Sequence, residues 1–549
     1  MMAGGTGLDE APENKKSIGY PVLSGRRPRF GRWGGLLAVF GLALAFRIPW
    51  LWEVPRHIDE LKEVFVAYRI YLGDFYPLHN AARDIGALHN YILAAIFWLF
   101  GPGIYWPRLY VALTSALTVA LVYLLGKKLY GRMAGLIAAG LLLTNGIHIL
   151  VTHMAWANCT TPFFFTLACL TTVTALERGG GWRLTGAGMF WGLTLQTHAS
   201  VIIYIAALVL YLWRRSGESG RPDLIRIGLG VVIGYANMIV YNLISFGGSF
   251  RWLHTKGYTL ESHPGLLSFG KNWVAMFTEL LRALSSTFSE HAGFWEYLIH
   301  PGFVLAAGLL GIGIYHAVRT RRDFPVWLLA AGFLVIPWIN RRYGFYVSTR
   351  YIMPLVISGL LLIGLGLGQL AGFCRRRFPG LNRAAVPLTL LFGAVVLLQI
   401  VPFYNYCTWV SDTNLSNRLP LAIVRSAMRA AGTRPLVLVD RRMRIENDPL
   451  PILFAVSGME HRVVDFMEME ESQWRQAFIS GSGRCLLAVL DGKTLERMAG
   501  KEVFFVVQSF KTRIALHSKR GGRRWNAVYL AELQSPRRQH GFAVNPDLH

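Results

Sequence analysis

From Ile85 to Leu176 the chain carries neither an Asp nor a Glu. A soluble fold over that length would normally show both signs of charge on its surface, so the stretch points to surroundings that reject ions. Apolar runs recur within it and beyond it, at or near the roughly 17 to 25 residues a helix needs to cross the hydrocarbon core. The composition agrees, with 53% hydrophobic residues, 16% charged residues and a mean hydropathy of +0.37 over 549 residues. The fold class expected is an α-helical polytopic membrane protein, because in lipid the backbone must satisfy its own hydrogen bonds.

Candidate spans are residues 34–52, 107–126, 133–150, 159–177, 184–197, 198–213, 227–244, 301–317, 325–339, 351–373 and 385–405. Hydropathy thus predicts about eleven transmembrane helices. The shorter run 87–101 is either a twelfth span or an interfacial helix. The first run follows a polar leader and precedes no small-residue cleavage site, so it reads as a true span.

Basic clusters set the expected orientation, since Lys and Arg are retained on the cytoplasmic side. Arg26, Arg27, Arg29 and Arg32 place the N-terminus inside, and the clusters at 127–132, 214–221, 319–322 and 375–377 fall on the same side if 87–101 does not cross. Loops 53–86 and 245–300 and everything after Phe403 then lie outside. The expected organisation is a cytoplasmic tail, 1–33, a transmembrane domain, 34–405, and an extracytoplasmic domain, 406–549, in the plasma (inner) membrane. In the last of these, short apolar segments at Pro435–Val439, Arg462–Phe466, Cys485–Leu490, Val503–Gln508 and Ala527–Leu530 alternate with helix-compatible stretches, which predicts a C-terminal α/β domain. It carries no Gly-rich phosphate loop, and it serves either acceptor docking or a structural cap.

The net charge of +25 is largely that of cytoplasmic loops beside anionic lipid, and nucleic acid is not an expected partner. The five cysteines show no metal spacing; Cys407 and Cys485 could form an outer-face bridge.

With no acid in the first spans, carboxylate chemistry there falls to the loop 53–86, in which the pair Asp59-Glu60 lies seven residues past Trp52. Around it run Arg56-His57-Ile58, then Leu72-Gly73-Asp74-Phe75-Tyr76-Pro77-Leu78, Phe100-Gly101, Pro107-Arg108-Leu109 and Gly131-Arg132-Met133-Ala134-Gly135. This order resembles the GT-C glycosyltransferases of family 39, the protein mannosyltransferase and aminoarabinose transferase group. The resemblance covers residues 34–213 and, more loosely, 340–360 through Arg350-Tyr351 and Pro354.

The resemblance implies a GT-C fold and an enzyme that moves a hexosyl or pentosyl group from a polyprenyl-phosphate donor to a lipid, glycan or protein acceptor, with inversion, on the outer face. It marks Asp59, with Glu60 beside it, as catalytic. A carboxylate beside an acceptor hydroxyl can take its proton, and a departing phosphate needs fixed cations. Arg56, Lys62, Arg83 and Arg350 are the outer-face candidates, with Arg350 preferred because it opens a span. His57 and Tyr351 flank these positions and are taken as substrate-binding. No cofactor is assigned, and transfer could be metal-free or assisted by a divalent cation. Relatives often carry an acid where this chain has Asn158, and an amide is a poor cation ligand, so no metal ligands are named.

His153 and His198 lie near span ends, where polar side chains either line a substrate site or satisfy packing. The outer loop contributes Lys256, read either as a donor contact or as part of a segment lying on the bilayer. A transporter or flippase, and a noncatalytic subunit with the same fold, are the alternatives to a transferase.

Overall fold

The computed structural model describes residues 30–52, 58–216, 221–255, 266–287, 301–339 and 349–377, with short stretches between 404 and 533. The described part before 378 is helical throughout. Helix α1 is Phe30–Ala45, α2 Ile58–Leu72, α3 Leu88–Phe100, α4 Trp106–Tyr130, α5 Arg132–Leu143, α6 Gly146–Val151, α7 Thr161–Glu177, α8 Trp182–Thr197 and α9 Val201–Ser216. Then follow α10 Arg221–Gly234, α11 Ala236–Ile244, α12 Gly248–Thr255, α13 Leu266–Leu284, α14 Pro301–Arg319, α15 Phe324–Ile339 and α16 Met353–Arg377.

Among the described residues four helices are long and apolar enough to cross a membrane: α4, α7 with the turn before it, α14, and α16 with the turn before it. The bent pair α10 and α11 makes a fifth if it is one broken span. Helices α3, α5 and α15 are apolar but shorter, and the 385–405 candidate lies outside the described residues.

Three span boundaries differ from expectation, each for a local reason. The first helix stops at Ala45 instead of running to Trp52. Pro49 disfavours continuation, and the buried Arg47 turns its guanidinium back onto the Ala43 carbonyl. The 133–150 run breaks at Thr144 and Asn145, where the Asn145 side chain accepts from the His148 N–H and starts α6 as an N-cap. The 227–244 run bends by 68° at Tyr235. Loop 245–300 contains two helices, α12 and α13.

Helix α4 forms the axis of the first half, packing against α1, α5 and α7, while α16 packs against α5, α14 and α15. Helices α8 and α10 meet through two four-residue glycine spacings, Gly188 with Gly192 and Gly230 with Gly234. Small residues at this spacing let helix backbones close together in lipid, where packing replaces the hydrophobic drive.

The C-terminal strands are β1 Leu436–Val439, β2 His461–Val464, β3 Leu487–Asp491, β4 Phe504–Ala515 and β5 Arg524–Leu533, in the order β2-β1-β3-β5-β4. The first three pair in parallel, and β5 runs antiparallel to both β3 and β4. All five predicted strand segments are present, with a helix, α17 Pro449–Val456, between β1 and β2. Helix α17 buries Ile452, Leu453 and Val456 and packs against α2, so the C-terminal region touches the helix that carries Asp59.

The α8–α10 contact yields a paired test. A Cβ on Gly230 would lie 2.0 Å from the Thr185 carbonyl oxygen, whereas one on Gly228 meets nothing within 4 Å. Gly230→Ala should destabilise by about 1 to 3 kcal/mol through overpacking, and Gly228→Ala should be neutral or stabilise slightly. Thermal unfolding of the two variants in detergent would check this.

Candidate functional site

Helix α2 opens with Asp59 and Glu60 in its first turn, where carboxylates are favoured by the unpaired N–H groups of a helix start. The two point to different surroundings. Asp59 is exposed, whereas Glu60 is fully buried. Glu60 meets Arg108 of α4 in a two-pronged ion pair, with Nε donating to Oε1 at 2.7 Å and Nη2 to Oε2 at 2.9 Å. Arg108 also donates to the Leu51 carbonyl at 2.8 Å. A fork-on-carboxylate pair of this geometry offsets desolvation only because the remaining sites are also satisfied.

One turn further, Glu63 is buried beside the same surface. The Ala155 N–H donates to Glu60 Oε1 at 3.1 Å and the Ala157 N–H to Glu63 Oε2 at 2.7 Å. Two glutamates three apart on α2 thus hold alternate N–H groups of the segment before α7. The Asn90 amide fastens α3 to the same helix through the Glu63 carbonyl, at 2.8 Å, and His89 Nε2 lies 3.9 Å from the Glu63 carboxylate. Asn158 is buried in the short turn Ala157–Thr160 that follows.

Between the two held N–H groups sits Trp156, with extended backbone and a buried side chain. The Arg350 guanidinium carbon lies 4.0 Å from the centre of its ring and 4.6 Å from that of Tyr351. Arg350 Nη2 also donates to the Tyr351 hydroxyl at 2.6 Å, and the His198 ring stands 5.0 Å from the Tyr351 ring. The short turn Thr349–Ile352 that carries Arg350 is fixed by a buried pair on α13, in which Arg282 Nε donates to Glu279 Oε2 at 2.8 Å and the Thr349 hydroxyl donates to Glu279.

The structure therefore joins Glu60 and Arg350 directly to the segment 155–158 that includes Asn158, with Tyr351 and His198 reached through Arg350 and Asp59 one residue before Glu60 on α2. Lys62 is half-buried on α2, and Arg83 lies apart, its guanidinium 5.7 Å from the Trp252 ring. The His153 ring donates to the Arg47 carbonyl at 2.9 Å and so belongs to the packing under α1. There Arg47 is fully buried, bonded to Ser115 and to the carbonyls that end α1 and α5. Arg56, His57, Lys256 and any bridge between Cys407 and Cys485 lie outside the described residues.

Sequence reasoning passed over Glu63, Trp156, Glu279, Arg282 and Arg47. The spacing 59, 60, 63 was a usable signal, since i+3 and i+4 positions share a helix face. Among the described residues no three His, Cys, Asp or Glu are grouped to hold a metal ion. Among the described residues, Glu60 is engaged by Arg108 and position 158 is an amide, so neither offers a free carboxylate to a divalent cation.

Burial pushes the Glu63 carboxyl up to about 8, even though the Ala157 N–H and Arg350 favour its charged form. A group raised above its unfolded value of 4.5 is protonated in the fold and ionised in the unfolded chain between the two, so stability falls as pH rises from about 4.5 to about 8. The melting temperature of Glu63→Gln should decline less across that window than that of the parent. Equal slopes would remove Glu63 as the titrating group.

The family model for "Dolichyl-phosphate-mannose-protein mannosyltransferase" matches residues 84–244. An undecaprenyl phosphate-alpha-4-amino-4-deoxy-L-arabinose arabinosyl transferase of Pseudomonas aeruginosa is 25% identical over 407 residues, 68% of this chain and 67% of the relative. Its counterpart in Pseudomonas fluorescens is 23% identical over 367 residues, 60% of this chain and 63% of the relative. The chain thus aligns with about two thirds of the length of these relatives. The crystal structure of ArnT from Cupriavidus metallidurans in the apo state superposes with a TM-score of 0.54 at 15% identity, covering 91% of this chain and 98% of ArnT. The same protein bound to undecaprenyl phosphate gives 0.52 at 14% identity, over 92% and 98%. The chain therefore has the GT-C-type membrane fold of these structures and is similar in sequence to lipid-linked sugar transferases.

Proposed function

We propose that this protein transfers a sugar from a polyprenyl-phosphate-linked donor to an acceptor hydroxyl or amine on the extracytoplasmic face, with inversion. The observation that carries the reading is that α2, which opens with the exposed carboxylate Asp59, holds through Glu60 and Glu63 the segment whose Trp156 ring lies against the Arg350 guanidinium. In the reaction the acceptor attacks the anomeric carbon while the bond from that carbon to the phosphate oxygen breaks. Asp59 takes the acceptor proton, and the electron pair leaves on the phosphate, whose added charge Arg350 stabilises.

Glu60 has a different part. Its charge is committed to Arg108, which leaves it unsuited to proton transfer and suited to fixing the start of α2 so that Asp59 stays where an acceptor can reach it. Tyr351 and His198 extend the same surface, and Arg suits a phosphate through its planar fork. The names of the relatives support undecaprenyl phosphate as the carrier and a pentose as one sugar to try. The basic clusters support the inner membrane, a cytoplasmic N-terminus and an outer C-terminal domain.

Asp59→Asn should lower transfer of labelled sugar from polyprenyl-phosphate donors by about a hundredfold or more, with the melting temperature unchanged because the side chain is exposed. Reconstituted protein in liposomes would provide the assay. Full activity in the variant would sink the assignment of the base.

A further inference from the structure

The flat face of the Arg350 guanidinium is set against an aromatic ring. A guanidinium is a long side chain with several rotatable bonds, and ordering it for a ligand costs free energy unless something fixes it beforehand. The ring that meets it belongs to the residue whose neighbours on both sides are tied to α2. Ala155 donates to Glu60 and Ala157 to Glu63, and both carboxylates are buried. Trp156, in extended backbone between Ala155 and Ala157, sets its ring against Arg350.

We infer that Trp156 is a positioning residue, a platform clamped through its flanking N–H groups by Glu60 and Glu63, which braces Arg350 to receive the polyprenyl phosphate. The inference rests on the reading of Arg350 as the phosphate-binding cation. It links two parts of the reaction that are far apart in sequence: the helix presenting the base also fixes, through one hydrogen-bonded segment, the surface on which the cation lies. Glu63 acts here as an acceptor for Ala157, a role that either a carboxyl or an amide oxygen can fill. The charged and titratable groups facing it are Asp59 and Glu60 on its own helix, His89 of α3, and Arg350.

The test is a double-mutant cycle on binding of undecaprenyl phosphate itself, without sugar, to purified protein in nanodiscs. Arg350→Ala should weaken binding, and Trp156→Leu should weaken it by about tenfold, the scale of a desolvated cation–π contact. Together they should bind no worse than Arg350→Ala alone, because the ring acts through the guanidinium. Glu63→Ala should weaken binding severalfold, and Glu63→Gln should restore it by accepting from Ala157. If the Trp156 and Arg350 effects multiply, the ring is not a brace for Arg350, while the reading of Arg350 survives. Unchanged binding by Arg350→Ala would overturn both. Should Trp156→Leu fail to fold, Trp156→Phe and the Glu63 pair decide the matter, and equal weakening by Ala and Gln at 63 would refute the clamp.

Discussion

The buried ion pair between Glu60 and Arg108 is the interaction on which the rest of the site depends. It joins α2, an amphipathic helix outside the membrane-spanning segments, to α4, the longest apolar helix of the first half. Neither partner could be left alone at such depth: removing one side of a buried pair costs roughly 3 to 5 kcal/mol because the other charge is stranded. The pair therefore fixes the position of α2 more than it adds to stability. Everything that α2 carries inherits that position, including Asp59 at its exposed start and Glu63 one turn on.

Arg47 solves a related problem in a different way. It is fully buried near the end of α1, yet its described partners are Ser115, His148 and the carbonyls of Ala43, Leu142 and Leu143. Those carbonyls lie in the last turns of two helices, where partial negative charge collects. A guanidinium placed there is stabilised by dipoles instead of a carboxylate. The chain thus uses its scarce acids at the reaction surface and lets helix termini balance a cation elsewhere. His153, bonded to the Arg47 carbonyl, belongs to this arrangement.

Much of the fold was legible because apolar length is a one-dimensional property. The runs at 107–126, 301–317 and 325–339 matched helices to within a few residues. Boundaries failed where a polar or cyclic side chain acted locally, as with Pro49, Asn145 and the bend at Tyr235. Asp59 stood out because it lies in the loop just past the first apolar run, ahead of spans without acids, and Arg350 because it opens a helix. Trp156 and Glu63 did not stand out, since their meaning lies in which N–H groups a glutamate reaches across 94 residues of sequence. Glu279 and Arg282 were missed for a related reason: i,i+3 pairs are common on exposed faces, and only the burial of this one against Thr349 marks it as structural.

In the proposed reaction, the division between exposed base and buried cation follows from what each would meet. An acceptor arrives from water and its proton must return there, so the carboxylate that takes it belongs at the surface, as Asp59 does. A polyprenyl phosphate arrives from the bilayer with a charged head on an apolar tail. Its guanidinium partner gains from low dielectric, where each contact with the phosphate is stronger than in water. Arg350 is only 9% exposed, yet burying an unsupported cation would be costly. The rings of Trp156 and Tyr351 offset part of that cost without adding negative charge that would repel a phosphate. An aromatic brace is thus the kind of support that can hold a cation in place and still leave its charge for an anionic ligand.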